Sequence, residues 1–275
     1  MTTGLELISR FKQFASPKLA ESWDHVGLQV GDPSKPIHRL MTTLDVRPAV
    51  IAEAIDRQVD FIFAHHPVMF HPAVNLDVRN PQNQMYADLL AHHITVYAAH
   101  TNLDTANGGM NDWLAQQLQL HSTVPLVDCG SDPVSGEKVG MGRVGDLASP
   151  LSVDEFVQHC LRIFGIPAAR LIINPADRGK MIRRVAVLGG SGSEFYQQAK
   201  AAGADAYVTG DVTYHTAHDI QAYHLIVLDA GHHIEVVAAH GLAQLINQWA
   251  KQEHWDLTVC ESQVNTEPFT FVRQQ

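Results

Sequence analysis

The amino-acid sequence predicts an α/β fold built from two related units. Apolar, strand-like runs alternate with helical stretches along the chain, which is the pattern of α/β proteins. The second half repeats the order of elements found in the first half. A length of 275 residues, with 45% hydrophobic and 17% charged residues, suits one large domain or two ordinary ones around a substantial core.

The elements of the first unit are predicted from apolar spacing and from residues that start helices. Residues 5–14 have helical spacing, and residues 48–58 are predicted to be helical because Pro48 suits a first turn. A third helix is predicted over residues 111–120, with Asn111 as its N-cap. The predicted strands are residues 40–44, 61–64 and 94–99.

An internal repeat supports the two-unit prediction. Aligning Ile37 with Ile182, an offset of 145 residues, brings strand, loop, helix, turn and strand into register. Upstream, LELISRFKQFASP resembles VDEFVQHCLRIFGIP, and downstream ITVYAAHTNLD corresponds to LIVLDAGHHIE. Identical residues stand at three aligned pairs: Arg39 and Arg184, Ala54 and Ala199, Asp60 and Asp205.

The domain boundaries are predicted from this repeat. Residues 126–150 are rich in Gly, Asp, Ser and Pro and are predicted to connect the two units. We therefore expect a first α/β unit over residues 1–125 and a second over residues 126–229. Residues 230–275 are expected to form a C-terminal segment that returns to the first unit, beside His65 and His66.

Composition argues against several functional classes. A net charge of −10 gives no basic footprint for nucleic acid, and no apolar stretch is long enough to span a membrane. The N-terminal residues predict an amphipathic helix rather than a signal peptide. Three widely spaced cysteines, without a CxxC pair, argue against a disulfide framework, so we expect a cytoplasmic protein.

The segment FIFAHHPVMFH carries the strongest chemical signal among the 17 histidines of the chain. His65 and His66 follow a buried strand, where ligand sites of α/β sheets lie. Side chains of adjacent residues on a strand point to opposite sides, so the pair serves two metals, or one metal if the chain bends. The alternative is a histidine pair that only caps the strand. The aligned position in the second unit reads Gly210-Asp211.

A second constellation, AAHTNLDTANGGMND, follows the strand at residues 94–99 and is predicted to be a loop. Asp104 offers a hard oxygen ligand, and a carboxylate commonly bridges the ions of two-metal hydrolytic sites. His100, four residues earlier, is a candidate ligand, ligand-orienting group or general base. The alternative for Asp104 is a turn that precedes a helix.

A third constellation, DAGHHIE, starts a helix after an apolar strand. His232 and Glu235 are three residues apart, so a helix presents them on the same face, as in di-metal carboxylate proteins. The alternative is a surface helix with Glu in its first turn, which the helix dipole favours.

Two weaker signals lie in the second unit. The string GGSGS is a glycine-rich turn that can present N–H groups to an anion, although a tight turn is its default explanation. Asp211 and His215 follow the second unit's strand and either line the same cleft or form a degenerate copy of the metal site.

Six strings occur along the chain in this order: SWDHVGLQVGD, AHHP, HTNLDTANGGMND, GGSGS, ADAYVTGDVTYH and DAGHHIE. Together they resemble the YbgI-like, Nif-three-like family, whose members are often named GTP cyclohydrolase 1 type 2 homologues. The resemblance covers roughly residues 1–250. It implies two α/β domains, a dinuclear metal centre and a ring-shaped homohexamer. The metal ligands that it implies are His65, His66, Asp104, His232 and Glu235.

The spacing of the last two ligands departs from the family pattern. Many members place the glutamate four residues after its histidine, whereas Glu235 follows His232 by three. His233 therefore stays an alternative ligand. We favour His232, because it directly follows the glycine that ends the strand.

The expected function is that of a dinuclear metal-dependent hydrolase that acts on a nucleotide or other small molecule. Mixed histidine and carboxylate ligands suit two ions of Zn, Fe, Mn or Ni. His100 and His215 are the candidate catalytic residues that would shuttle protons. The alternative is a metal-binding, metal-chaperone or regulatory assembly protein without turnover.

Overall fold

The computed structural model describes residues 2–272. In chain order, the strands among them are β1 Gly27–Val30, β2 Arg39–Thr43, β3 Phe61–Ala64, β4 Thr95–Ala98, β5 His121–Ser131, β6 Lys138–Ser152, β7 Arg170–Ile172, β8 Met181–Val187, β9 Ala206–Thr209, β10 Ile226–Asp229 and β11 Thr258–Glu261. The α-helices are α1 Gly4–Phe14, α2 Pro48–Asp56, α3 Pro81–Ala91, α4 Thr101–Thr105, α5 Met110–Gln117, α6 Val153–Phe164, α7 Tyr196–Ala201, α8 Tyr214–Ala222 and α9 Val237–Gln252. Short 3₁₀ helices cover Pro17–Leu19, Pro175–Asp177, Ser193–Phe195 and His232–Val236.

The chain forms two compact units, each with a sheet and packed helices, so the predicted α/β class is confirmed. Unit 1 comprises the described residues up to Ala106, with Asp132–Gly136 and Val236–Thr266. Unit 2 comprises Asn107–Ser131, Glu137–Glu235 and the described residues from Glu267 onward. None of the described helices is both long and apolar enough to cross a bilayer.

The sheet of unit 1 has the strand order β1-β4-β3-β2-β11. β4, β3, β2 and β11 run parallel, and β1 pairs antiparallel with β4. The ring of Phe11 on α1 lies 4.8 Å from that of Phe63 on β3, and Tyr97 on β4 lies 5.2 Å from Phe63. These buried aromatic contacts fix α1 on the sheet. Because β3 and β4 are parallel neighbours, the residues that follow them meet at one edge of the sheet.

The sheet of unit 2 has the strand order β5-β6-β8-β9-β10-β7. β8, β9 and β10 are parallel, while β7 pairs antiparallel with β10. Residues 126–150, predicted as a connection, lie mostly in the antiparallel strands β5 and β6. The prediction of a connecting loop was wrong, because three of the five glycines of this stretch, Gly140, Gly142 and Gly145, lie within strand β6. There Gly140 and Gly145 allow close approach of the facing β5 backbone.

Both units contain the predicted repeat. At an offset of 145 residues, β3 falls on β9 and Asp60 falls on Asp205. Asp60 Oδ2 accepts hydrogen bonds from the backbone N–H groups of residues 38 and 39, at 2.7 and 2.9 Å. Asp205 Oδ2 accepts from residues 183 and 184 in the same way, at 2.9 and 2.8 Å. The repeated aspartate therefore binds equivalent backbone positions in each unit, at the start of β2 and within β8.

Helix α5 corrects the predicted role of Asn111. The N-cap is Gly109, and Asn111 lies inside the helix with its side chain fully buried. Asn111 Oδ1 accepts a hydrogen bond from the Gly189 N–H at 3.1 Å. The side chain therefore ties α5 to the glycine-rich turn after β8, a contact 78 residues away in sequence that local capping preferences do not reveal.

Candidate metal centre

The histidine pair after β3 extends the strand before the chain turns away. His65 and His66 donate backbone hydrogen bonds to the carbonyls of Thr43 and Leu44, at 3.1 and 2.9 Å. Their ring centroids lie only 5.0 Å apart. The backbone bend brings both rings to the same side, and with His100 they form a cluster whose nitrogens lie within 4.8 Å of one another.

His65 is held in one tautomer by the neighbouring strand. Its Nδ1 donates to the Ala99 carbonyl at 2.7 Å, and the residue is fully buried. A neutral imidazole that donates from Nδ1 has its lone pair on Nε2. That Nε2 lies 3.6 Å from Asp104 Oδ1. A basic nitrogen and a carboxylate oxygen therefore converge at the ends of β3 and β4.

His66 is anchored in a similar way by a carboxylate. Its Nδ1 lies 2.7 Å from Asp45 Oδ1, and Asp45 Oδ2 accepts from the Thr266 hydroxyl at 2.6 Å. Burial acts to raise the pKa of Asp45, but its hydrogen bond with His66 and their opposite charges, with the Thr266 bond, outweigh burial and lower that pKa. The ionised aspartate therefore fixes the orientation of the His66 ring.

Helix α4 positions the last two candidate residues of unit 1, His100 and Asp104, where the sequence predicted a loop. His100 precedes α4, and the Asp104 N–H donates to the His100 carbonyl at 3.1 Å, so the two residues lie one helical turn apart. Asp104 is buried, with 7% of its surface exposed. The segment was predicted as a loop because five helical residues are too few to show helical periodicity in sequence.

Asp24 is a buried partner of His100. Its Oδ2 lies 3.1 Å from His100 Nδ1 and accepts from the N–H and hydroxyl of Thr101, at 3.0 and 2.6 Å. Burial acts to raise the pKa of Asp24, but hydrogen bonds from His100 and Thr101, together with the charge of His100, lower it overall. Sequence reasoning missed Asp24 as a functional residue, although it stands in the SWDHVGLQVGD motif.

Unit 2 pairs a histidine with a carboxylate on one 3₁₀ turn. His232 Nε2 lies 3.1 Å from Glu235 Oε2, and His232 Nδ1 lies 2.7 Å from Asp211 Oδ2. Residues three apart eclipse each other in a 3₁₀ helix, so His232 rather than His233 shares its face with Glu235. This geometry favours His232 in the choice that the sequence left open.

The glycine-rich turn after β8 accommodates the Glu235 side chain. A methyl group added at Gly190, where φ is +62°, would lie 2.6 Å from Glu235 Oε1. One at Gly189 would lie 3.0 Å from the Glu235 Cγ. The turn therefore needs glycine both for its backbone and for the close approach of a carboxylate from the same unit.

His215 occupies a different setting from the clustered histidines. It lies on α8, exposed to solvent, with its ring 5.5 Å from that of Tyr214 in an edge-on arrangement. Asp211, the other residue singled out after β9, is the partner of His232. The catalytic role of His215 stays a prediction.

The three histidines predicted as ligands share one arrangement. In His65, His66 and His232, Nδ1 is held by a carbonyl or carboxylate oxygen at 2.7 Å. Metal-binding histidines almost always have their second nitrogen fixed in this manner, which sets the tautomer and aims the ligand nitrogen. A carboxylate lies within 3.6 Å of Nε2 in two of them. The residues present therefore fit divalent ions chemically.

Comparisons with known protein families and with individual relatives point to the same family. The sequence model described as Duf34/NIF3 (NGG1p interacting factor 3) matches residues 2–268. A GTP cyclohydrolase 1 type 2 homolog of Streptococcus pneumoniae serotype 4 is 39% identical over 265 residues, which is 96% of this chain and 97% of that protein.

Solved structures agree with this result. A Bacillus cereus protein related to NIF3 has a TM-score of 0.93 at 26% identity, over 99% of this chain and 100% of that one. The protein ybgI, of unknown function, has a TM-score of 0.76 at 22% identity, over 96% and 99% of the two chains, and shares the fold. Because the family match spans nearly the whole sequence, this chain belongs to the Duf34/NIF3 family.

Proposed function

We propose that this chain is a dinuclear metal-dependent protein of the hydrolase type. The proposed ligands are His65, His66 and Asp104 from unit 1 and His232 and Glu235 from unit 2. The observation that carries the proposal is a histidine whose Nδ1 is anchored at 2.7 Å and whose Nε2 lies within 3.6 Å of a carboxylate oxygen, found at His65 in unit 1 and at His232 in unit 2. Anchoring of Nδ1 alone is less specific, because His92, His224 and His240 also have it, at 2.9 Å.

The two carboxylates occupy equivalent positions of the repeat, which supports their assignment as a pair. At an offset of 131 residues, α4 (Thr101–Thr105) falls on the 3₁₀ helix His232–Val236, and Asp104 falls on Glu235. Each carboxylate thus lies on the first helical turn after an equivalent parallel strand. Nitrogen and oxygen donors of this kind suit Zn, Fe, Mn or Ni. When bound, two such ions would polarise a substrate oxygen and lower the pKa of a water molecule.

His100 is the proposed proton-transfer group. Asp24 Oδ2 lies at an ion-pair distance of 3.1 Å from its Nδ1, so we assign Nε2 as the nitrogen that would accept a proton. The ring lies 5.3 and 5.4 Å from those of His65 and His66, close enough to act on a substrate bound at the ligands. A ligand role for His100 is the alternative. His215 is proposed as a second proton-transfer residue on the sequence argument alone.

A nucleotide is the proposed substrate class. The relatives' name, GTP cyclohydrolase 1 type 2 homolog, points to a guanine nucleotide as the first compound to test. On the cysteine spacing and the family resemblance, we further propose a cytoplasmic location and a homohexameric assembly.

A non-catalytic metal-binding or regulatory role is the alternative function. The family description, NGG1p interacting factor 3, refers to a protein interaction rather than to a reaction. A metal carrier of this kind exchanges its ions without turning over a substrate, and this property separates the two proposals.

The decisive experiment measures metal and turnover on the same protein. Anaerobically purified full-length chain is analysed for bound metals, stripped with chelator, reloaded and tested against a nucleotide panel. We expect two ions per chain and turnover that appears only after reloading. Exchangeable metal with no turnover across the panel would support the carrier, and absence of bound metal after reloading would reject both.

A further inference from the structure

Unit 2 contains a cavity of about 550 Å³ beside His232. Its volume falls within the range of roughly 300 to 1,000 Å³ that is usual for small-molecule sites. The residues that follow β10 line it, and so do residues of the 267–271 segment, which forms neither helix nor strand. The cavity therefore lies next to a proposed metal ligand and is bordered by the C-terminal segment.

Two phenylalanines of the C-terminal segment give the cavity an aromatic wall. Phe269 and Phe271 line it, although 70% and 46% of their surfaces are exposed. Glu267 Oε1 accepts the Phe269 N–H at 3.0 Å, which turns the segment at this point. Ala168 and Ala169 line the cavity as well, so the interior is largely apolar. A flat aromatic ring fits such a wall by stacking.

The charges that line the cavity disfavour an anion. Three carboxylates, Asp211, Asp229 and Glu267, face a single guanidinium, that of Arg170. Asp229 is buried and forms an ion pair with Arg170, while its Oδ2 also accepts the Val212 N–H at 3.0 Å. Arg170 is thus already neutralised by a carboxylate. A phosphate group placed here would meet net negative charge, whereas an N–H donor would meet carboxylate acceptors.

We propose that this cavity binds an uncharged, nitrogen-containing heteroaromatic ring of the nucleobase class, while the phosphates of a nucleotide lie outside it. The ring stacks on Phe269 and directs its N–H groups toward the carboxylates. Because His232 lines the same cavity, a ring bound there is adjacent to a proposed metal ligand. The inference rests on the proposed nucleotide-directed function for its choice of ligand.

The test measures guanosine and GTP binding to full-length, metal-stripped protein by equilibrium dialysis, so that metal–phosphate attraction does not contribute. We expect guanosine to bind at least as tightly as GTP. Phe269→Ala should weaken guanosine binding about tenfold, the effect of losing one stacking contact. Val272→Ala, which changes an exposed neighbour, and Trp23→Ala, which removes an exposed aromatic ring of unit 1, should leave it unchanged.

A second variant tests the charge argument. Glu267→Gln should improve GTP binding relative to guanosine by several-fold, since one of the carboxylates is neutralised. Unchanged guanosine affinity in Phe269→Ala, or a loss in Trp23→Ala instead, would overturn the assignment. Metal content of Phe269→Ala should equal that of the wild type. If the wild type binds guanosine through Phe269 but holds no metal, the metal proposal fails and the cavity assignment stands.

Discussion

The two units share a scaffold and differ at the ends of their strands. In each, an α-helix with a capping box precedes three parallel strands in equivalent order, β2-β3-β4 and β8-β9-β10. Even irregular backbone repeats: Gln58 and Gly203, at an offset of 145 residues, have φ angles of 54° and 76°. Backbone features that shape the fold therefore recur in both units, even where the residue type differs.

The strand ends are where the repeat diverges. His65 and His66 follow β3, whereas the equivalent residues after β9 are Gly210 and Asp211. Asp45, which anchors His66, has Gly190 at its equivalent position, and there the space is taken by Glu235. In unit 2, Gly190 thus leaves room for the carboxylate of Glu235, which comes later in the same unit. In unit 1, the equivalent position is itself an aspartate, Asp45. The repeat determines the scaffold, and these few exchanges determine the chemistry.

The largest effect is expected from removing a histidine that only unit 1 possesses. His65→Ala should remove at least one metal per chain and weaken metal binding more than about 100-fold, above the range for losing an outer partner. Elemental analysis and competitive chelator titration measure both quantities. His38→Ala, which changes an exposed histidine of the same unit, should retain full metal content. Equal metal content in the two variants would reject the ligand assignment.

The loss of metal affinity should be smaller when a proton-transfer group is removed than when a ligand is removed. Asp104→Asn and Glu235→Gln remove the charges at equivalent repeat positions, so each should weaken metal binding to a similar extent. His100→Ala should weaken binding less, by about 10–100-fold, since we assign it beside the ligands. Chelator titrations rank the three variants. If His100→Ala had the largest effect, His100 would be a ligand and the assigned base would be lost.

Local sequence patterns predicted those strands and helices whose formation depends on residues near in the chain. Strand β3 was predicted with its observed bounds, because a short apolar run between turns has few alternatives. The anchors Asp24 and Asp45 were missed as functional residues. Asp24 contacts His100, which lies 76 residues later in the sequence, and Asp45 contacts His66, which lies 21 residues later. Such contacts depend on strand order, which apolar periodicity does not specify.

The scaffold aspartates should affect stability rather than metal binding. Asp60→Ala and Asp205→Ala each leave two backbone N–H groups without their carboxylate, and each should lower the free energy of unfolding by about 1–2 kcal/mol. Urea unfolding measures the change. Asp56→Ala, an exposed site on α2, should cost less than about 0.5 kcal/mol. A large cost in one unit only would show that the repeat is not energetically equivalent.

The smallest effect is expected at the two capping boxes. Thr3→Ala and Ser152→Ala remove the N-caps of α1 and α6, and each should cost about 1 kcal/mol of stability. Hydrogen bonds from the cap residues lower the pKa of Glu6 and Glu155 below their ordinary value of 4.5. A lowered folded-state pKa means that this stabilisation is present above pH 4.5 and is lost as pH falls through the folded value. Urea unfolding at pH 7 and pH 3 should therefore show a smaller cost of each substitution at pH 3, and an equal cost at both would contradict the carboxylate contribution.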